Sequence, residues 1–266
     1  MFNLIKSVNY VLKRDKGVLL SYLFIFIIPI LLLLMFGLFQ LPSLKDLTPG
    51  FYYGMDMLSG FAAFSFIGIV IISSKAIAGD ESDKTINYDI LSGHRRIAVF
   101  SSRVLAGLVW GAFFVLVIQM IPVFGMALIN GWGAQVNAKD LIIRICLTIF
   151  PFIRLSAMTM MLASLTKKAG LGIVLGLSTD ILTSIIQALA EEIFHYEIRY
   201  EVAFMNMVAL LTPENSREYI IDGKPVQVFD TAVSPEMVIK TIGFSLGFTV
   251  LYLLIAYIVF KKRDRS

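Results

Sequence analysis

The chain has 266 residues, of which 58% are hydrophobic and 16% charged, and its formal net charge is +4. Soluble globular proteins are about 45–50% apolar, so this composition predicts a membrane protein and leaves too few polar residues for a separate soluble domain. The single cysteine, Cys146, excludes an internal disulfide. The two histidines, His94 and His195, are far apart in the sequence, which argues against a histidine-based metal site.

The first 16 residues have an amphipathic pattern. Phe2, Ile5, Val8 and Leu12 recur at helical spacing, and the lysines between them fall on other faces. A basic helix with one apolar face is typical of the membrane interface, so residues 1–16 are predicted to form an interfacial helix. The alternative is that this segment extends the first membrane span.

Six apolar stretches are long enough to cross a bilayer as helices. The predicted spans are Val18–Phe39, Phe51–Ser74, Val104–Ile129, Leu141–Leu165, Gly170–Ala190 and Val238–Phe260. The first is too long for the apolar region of a cleaved signal peptide. Pro29 is expected to kink the first span, and Pro122 and Gly125 to bend the third. Residues 97–103 are predicted to approach the third span along the interface.

The polar stretch 191–236 contains three further signals. Val202–Leu211 is apolar but too short to cross, which predicts a re-entrant or interfacial segment. The pattern of 219–228 predicts a hairpin that turns at Asp222-Gly223. Ser234-Pro235-Glu236 is a typical helix start, with a capping serine, a proline and an acid in the first turn.

The charges orient the six spans. The N-terminus, the loop 75–103, the turn at Lys167–Lys168 and the C-terminus together carry 15 Lys/Arg and 6 Asp/Glu, whereas the opposite side carries 6 Lys/Arg and 11 Asp/Glu. Short loops rich in Lys and Arg stay in the cytoplasm. Both termini are therefore predicted to be cytoplasmic, and the segment 191–236 to be external.

Arg154 and Asp180 fall near the centres of two consecutive spans. Arg154 lies 14 residues before Lys168 and Asp180 lies 12 after it, so the two sit within about 3 Å of the same depth. A charge at mid-bilayer costs at least about 2.5–3.5 kcal/mol, which favours an ion pair between them. The pair would be either a polar element on a substrate path or a structural link between two helices. Arg144 lies nearer the outer surface and is expected to snorkel towards it.

Three patterns of small residues predict close helix packing. They are Gly107–Gly111, Gly172–Gly176 and Gly243–Gly247. One of them is a candidate for a subunit interface, and the sequence does not say which.

Two stretches resemble catalytic motifs only in part. Residues 79–85 have the first glycine and the lysine of a phosphate-binding loop, but they lack its second glycine, and three acidic residues would repel phosphate. Residues 191–195 have two carboxylates and a histidine, without the second histidine of a metal hydrolase. No catalytic residue, metal, bound cofactor or nucleic-acid partner is predicted for this chain.

The order of the elements resembles the ABC-2-type permease family, the membrane subunits of type-2 ABC exporters. A basic N-terminal helix, six spans, a charged loop after the second span and a partly apolar segment before the sixth cover essentially the whole chain. The local match runs from Glu81 to Arg103: an acid, a turn, a short helix, a basic turn, and a basic residue that opens the third span. The chain departs from the family pattern at Lys84, which replaces a glycine, and in having no proline in the basic turn.

The resemblance implies that this loop forms a coupling helix, which docks in a groove of a separate ATP-binding subunit. The residues assigned to this role are Glu81, Lys84, Ile86, Tyr88, Asp89, Ile90, Leu91, Arg95 and Arg96. Three of them, Ile86, Ile90 and Leu91, share one helical face and suit a groove. The alternative is a solvated loop helix with no partner. The resemblance also implies that 202–211 gates the outer mouth and that spans two and five line the path.

The chain is thus predicted to be an all-α integral membrane protein and a single permease domain, 1–266, in a bacterial plasma membrane. It would pair with an identical or sister permease among the membrane lipids. ATP and Mg would be bound by the partner subunit, and only the assembled complex would hydrolyse ATP. Amphipathic or antimicrobial peptides are the substrate suggested by analogy. Two alternatives are a secondary transporter coupled through Arg154 and Asp180, and a membrane scaffold or sensor.

Overall fold

The computed structural model describes residues 2–23, 26–27, 30–31, 48–82, 92–195, 199–221 and 224–262. Its helices are α1 (Phe2–Arg14), α2 (Pro49–Gly54), α3 (Met57–Ser82), α4 (Arg96–Asn130), α5 (Ala138–Leu147), α6 (Ile149–Thr166), α7 (Ala169–Phe194), α8 (Ala203–Leu211) and α9 (Pro235–Lys262). Two strands, β1 (Ser216–Ile221) and β2 (Lys224–Phe229), lie between α8 and α9. The second half of the predicted first span, the loop 83–91 and the turn 222–223 lie outside the described residues.

Within the described residues, five segments are long and apolar enough to cross a membrane. They are Met57–Gly79, Arg96–Asn130, Ala138–Thr166, Ala169–Gln187 and Pro235–Lys262. Each corresponds to one of the predicted spans two to six, so the all-α membrane fold is confirmed. A sixth span at 18–39 stays a prediction, although residues 16–23 are helical.

Helix α6 is the centre of the bundle and packs against α3, α4, α7, α8 and α9. Its contact with α3 includes a buried hydrogen bond between the hydroxyls of Ser73 and Ser156, whose oxygens are 2.6 Å apart. The surrounding core is apolar and includes Ile69, Phe114 and Phe152, each at most 1% exposed. A polar contact inside this apolar core fixes the relative position of α3 and α6.

Two of the three glycine patterns lie where α4 and α7 approach α6. A Cβ atom on Gly107 would lie 2.3 Å from the Cε of Met160, and one on Gly172 would lie 2.6 Å from the Cβ of Ala163. Real Cβ contacts are longer than this. At Gly172 the clash includes the Cα of Ala163 (2.8 Å), so a larger residue would push the two helices apart, whereas at Gly107 the flexible end of Met160 could move aside. The second glycines of these patterns, Gly111 and Gly176, also have neighbouring atoms within 4 Å.

The third pattern differs. Among the described residues, no atom lies within 4 Å of a Cβ built on Gly243 or Gly247. Both glycines are on the exposed face of α9, beside Phe244 and Phe248. The same sequence pattern therefore packs helices within the subunit in α4 and α7, whereas in α9 it faces no other described residue.

The predicted second span, Phe51–Ser74, is wrong at both ends. Thr48 caps a short helix, α2, by accepting a hydrogen bond from the N–H of Phe51 (3.3 Å), and Pro49 occupies the first turn. The chain then turns at Asp56, whose φ is +56°. Helix α3 begins only after this turn and continues to Ser82.

The predicted interfacial segment 97–103 is also wrong, because it forms the first two turns of α4. This helix is continuous over 35 residues, with Pro122 inside it. At 1.5 Å per residue, α4 is about 52 Å long, compared with about 30 Å for the hydrocarbon core of a bilayer. One part of α4 must therefore extend beyond the membrane.

The predicted fourth span, Leu141–Leu165, is interrupted at Thr148. Pro151 has no N–H to donate to the carbonyl of Leu147, so one helical hydrogen bond is missing there, whereas the N–H groups of Thr148 and Phe152 still donate to the carbonyls of Arg144 (3.3 Å) and Thr148 (3.2 Å). The Thr148 hydroxyl instead donates to the carbonyl of Ile145 (2.6 Å) and lies 3.0 Å from Oε1 of the buried Gln119. The break separates α5 from α6 and is stabilised by these polar contacts.

The segment that connects α7 to α9 contains a short helix, a hairpin and a capped helix start at the predicted places, and the re-entrant or interfacial position of 202–211 stays a prediction. The apolar stretch forms the short helix α8, and β1 pairs with β2 in a register that places Ile221 opposite Lys224, on either side of the predicted turn. The N–H of Met237 donates to the Ser234 hydroxyl (3.1 Å), which confirms the predicted helix start. We call α8, β1, β2 and residues 230–234 the hairpin segment.

We predict that Gly172→Ala destabilises the protein and that Gly243→Ala does not. The methyl group at 172 would overlap Ala163 and force α7 away from α6, at about 1–3 kcal/mol. The matched methyl group at 243 meets no atom of the part of the chain that the structure describes. Thermal unfolding of the purified variants in detergent measures the difference, and equal melting temperatures for the two variants would contradict the packing described here.

Candidate functional site

Helix α1 lies at one end of the bundle together with the chain segments that flank the predicted coupling loop. Leu4 belongs to a buried cluster with Ile77 of α3, Phe100 of α4 and Phe260 of α9. Ala169, just after the turn between α6 and α7, is in the same cluster. The four segments that the charge analysis assigns to one side therefore meet at one end of the bundle, which we call the α1 end.

An ion pair joins the C-terminal end of α1 to α3. The ammonium of Lys75 donates to Oδ2 of Asp15 at 2.8 Å, and the N–H groups of Gly17 and Val18 donate to Oδ1 at 2.8 and 3.0 Å. Burial alone would raise the pKa of the Asp15 carboxyl, but these hydrogen bonds and the charge of Lys75 hold it below its ordinary value. Asp15 is therefore a charged anchor between α1 and α3.

A second contact joins α1 to α4. The indole N–H of Trp110 donates to Oδ1 of Asn9 at 2.9 Å, and the ammonium of Lys13 lies 5.5 Å from the centre of the Trp110 ring. Since α3 and α4 are the helices on either side of residues 83–91, both flanks of the predicted coupling loop are fastened to α1.

The predicted coupling residues are only partly described. Arg95 and Arg96 are exposed at the start of α4, directly after a turn at Ser92–Gly93 in which Gly93 has a φ of +88°. A basic turn before the third span is therefore present. The remaining predicted residues lie outside the described residues, and the role of the set stays a prediction. They are the Glu81 side chain, Lys84, Ile86, Tyr88, Asp89, Ile90 and Leu91.

Arg154 is buried in the middle of the bundle, with 4% of its surface exposed. Its guanidinium donates to the carbonyl of Tyr200 at 3.0 Å and to that of Glu201, and lies 4.2 Å from the centre of the Phe248 ring. These contacts provide acceptors for some of the guanidinium N–H groups and place an aromatic ring against the positive charge. Arg154 thereby connects α6 to α9 and to the chain that leads into α8.

A cavity of about 110 Å³ lies beside Arg154. Its polar lining includes Thr179 and Thr183 of α7, Glu201 and Tyr252. Asp180 lies between the two threonines in sequence, so its backbone is on the helix that lines the cavity, but its side chain lies outside the described residues. The Arg154–Asp180 ion pair therefore stays a prediction.

Arg144 does not snorkel, contrary to the sequence-based expectation. It is 2% exposed and donates to the carbonyls of Thr231 (2.9 Å), Ala232 (2.8 Å) and Leu210 (3.5 Å). These carbonyls offer the guanidinium buried partners that make an approach to the surface unnecessary. Arg144 holds the hairpin segment against α5.

Comparison with known proteins agrees with this arrangement. A family model described as ABC-2 family transporter protein matches residues 10–265. The chain belongs to the ABC-2 transporter family. It is therefore a multi-pass membrane permease of an ABC-type transporter, a component that has no ATP-binding site of its own and associates with an ATP-binding subunit. No curated protein and no solved structure shows significant similarity to the chain.

Aromatic residues of α9 were not predicted for this ABC-2 permease, among them Phe248, which contacts Arg154, and Tyr252, which lines the cavity. Phe244, Phe248 and Tyr252 recur every four residues in α9, and their rings form a ladder with centroid separations of 6.5 and 5.9 Å. That spacing is visible in the sequence and could have drawn attention to this face. The carbonyl partners of Arg154 could not have been found, because any residue offers a carbonyl.

We predict that Arg144→Met loosens the hairpin segment. The change leaves three carbonyls without their charged donor, and each such hydrogen bond contributes about 1.5–3 kcal/mol. Lys139→Met, which removes an exposed charge from the same helix, is the matched control. Limited proteolysis within 212–234 and the melting temperature measure the effect, and equal behaviour of the two variants would remove this role of Arg144.

The ion pair predicted for Arg154 and Asp180 can be tested by exchanging the charges. Arg154→Asp and Asp180→Arg are each expected to lower the yield of monodisperse protein in size-exclusion chromatography, because each leaves like charges together. The double variant R154D/D180R is expected to recover part of that yield, whereas the control K139D/D180R, which adds its carboxylate at an exposed position, is not. A double variant no better than its single variants would show that the pair is absent.

Proposed function

We propose that this permease is the membrane subunit of an ATP-driven exporter in a bacterial plasma membrane, with both termini in the cytoplasm. The observation that carries the proposal is the α1 end, where α1 is fastened to both helices that flank residues 83–91. In a member of the ABC-2 family, this is the arrangement expected where an ATP-binding subunit delivers its motion.

The packing provides a route for that motion through the bundle. A partner that moves residues 83–91 would displace α3 and α4 together, because α1 links them. Both helices pack against α6 through close contacts, among them the Ser73–Ser156 hydrogen bond. Helix α6 carries Arg154, so displacement of α6 would change the cavity beside it. Alternating access would then follow from ATP binding and hydrolysis by the partner.

The charge distribution supports the orientation. The segments that meet at the α1 end carry 15 Lys/Arg and 6 Asp/Glu, which favours the cytoplasmic side. The hairpin segment is then external. Between Glu191 and Glu236 there are nine Asp/Glu and three Lys/Arg, a charge that would suit a cationic amphipathic peptide leaving the cell. Export of such a peptide is the substrate class we propose.

A second permease copy, identical or sister, would complete the pathway. The open face of α9 around Gly243 and Gly247 is available for such a contact, since it has no neighbour among the described residues.

A secondary transporter is the second candidate function, and the buried charge of Arg154 beside a cavity is the observation that favours it. Membership of the ABC-2 family favours ATP-driven transport over ion coupling.

We predict that the double variant I86D/I90D loses its ATP-binding subunit. Two carboxylates on the face that would fill the partner's groove should prevent docking, while the membrane spans stay folded. Affinity purification of the tagged permease in mild detergent, with quantification of the co-purifying ATP-binding subunit, measures the loss.

The matched control is Ile220→Asp, which places a carboxylate at an isoleucine of β1 that is 81% exposed, on the external side. It is expected to retain the partner at the level of the unmodified chain. Retention of the partner by I86D/I90D would contradict the coupling role of the loop. A chain that purifies alone in its unmodified form would favour the secondary transporter.

A further inference from the structure

The apolar face of α1 is covered by the protein itself. Leu4, Val8 and Leu12 are 5%, 6% and 5% exposed, and they pack into the cores formed by α3, α4 and α9. The sequence suggests that this face enters the membrane, as in a free amphipathic helix. In the structure, the surface that α1 presents outwards is a different one.

We call this outward surface the basic-aromatic face, and it consists of Phe2, Lys6, Tyr10, Lys13 and Arg14. Phe2 is 70% exposed and Tyr10 is 56% exposed. The Lys6 ammonium lies 4.9 Å from the centre of the Phe2 ring, and the Arg14 guanidinium lies 4.3 Å from that of Tyr10. Residues four apart share one side of a helix, so two cations and two rings alternate along a single stripe.

The charge of this face is not balanced within α1. The helix contains no acidic residue, and the next acid in the sequence, Asp15, is bound by Lys75. Lys6, Lys13 and Arg14 therefore form a positive surface, which Lys16 extends beyond the helix. A surface of this kind suits a partner with closely spaced negative charges.

The length of α4 allows this face to lie at the level of the lipid headgroups. If Asn130 is at one boundary of the hydrocarbon, the opposite boundary falls about 20 residues earlier, close to Trp110. Trp110 is hydrogen-bonded to Asn9 of α1, and tryptophan is enriched at membrane boundaries. The exposed rings of Phe2 and Tyr10 suit the same boundary region.

We propose that the basic-aromatic face of α1 binds the headgroups of anionic phospholipids, with Lys6, Lys13 and Arg14 contacting phosphates and Phe2 and Tyr10 entering the interface. Three observations favour a lipid surface over a protein groove: the charge, the two exposed rings and the level set by Trp110. The inference rests on the membrane position of α4 and is independent of what the permease transports.

The experiment measures which lipids the full chain holds at its surface. The purified permease is reconstituted in phosphatidylcholine bilayers that contain a trace of spin-labelled phosphatidylglycerol or spin-labelled phosphatidylcholine. Electron paramagnetic resonance then gives the motionally restricted fraction of each label. The variant K6Q/R14Q removes two charges from the face, and the control K139Q/R217Q removes two exposed charges from the opposite end of the bundle.

The unmodified chain is expected to restrict more phosphatidylglycerol than phosphatidylcholine. In K6Q/R14Q this preference should fall by about twofold or more, whereas the control should keep it. In about 1 M salt, where the Debye length is about 3 Å, the unmodified chain should resemble K6Q/R14Q. The salt series needs no variant and tests the charge dependence even if K6Q/R14Q folds poorly.

Two results would overturn the proposal. One is a preference that is absent in the unmodified chain or unchanged in K6Q/R14Q. The other is a K6Q/R14Q variant that keeps the preference and no longer co-purifies with the ATP-binding subunit, which would assign the face to that protein. Failure of the I86D/I90D experiment would affect neither outcome, since it concerns a different surface.

Discussion

The close approach of α4 and α7 to α6 is the constraint on which the rest of the bundle depends. In a bilayer, apolar side chains gain little by leaving lipid for protein, so helices associate through tight packing and polar contacts. Gly172 provides the tight packing, because a larger residue would overlap Ala163, and Gly107 adds a close contact with Met160. The Ser73–Ser156 hydrogen bond provides the polar contact. The position of Arg154 follows from this arrangement, since α6 carries it.

The two buried arginines both take their hydrogen-bond acceptors from the same segment of the chain. A guanidinium in a medium of low polarity needs acceptors, and both Arg144 and Arg154 find them in backbone carbonyls of the chain between α7 and α9. That chain would otherwise have free carbonyls close to the membrane. Each arginine therefore satisfies its own charge and also fastens the chain between α7 and α9 to α5 or α6. This links the hairpin segment directly to the helices that surround the cavity.

The elements that depend on local sequence could be predicted, and those that depend on distant partners could not. Hydropathy located spans two to six, Ser234 marked the start of α9, and the Asp-Gly pair marked the hairpin. The break at Thr148 was readable from Pro151 and was overlooked, as was the helix start at Thr48-Pro49. The burial of Arg144 could not be predicted from the sequence, because its acceptors at Leu210, Thr231 and Ala232 lie 66 to 88 residues away along the chain. The pattern at Gly243 was found, but sequence alone could not tell a packed face from an open one.

The interruption at Thr148 divides one membrane crossing into two mechanical units. Helix α5, held to the hairpin segment by Arg144, belongs to the upper unit, whereas α6 and the glycine contacts belong to the lower one. A straight helix would transmit any tilt of its lower half to its upper half. Because Pro151 donates no hydrogen bond to Leu147, the crossing can bend most easily at this point while α4, α6 and α7 keep their packing. A change of angle between α5 and α6 would therefore move the hairpin segment, which Arg144 holds, without disturbing the glycine contacts of α6.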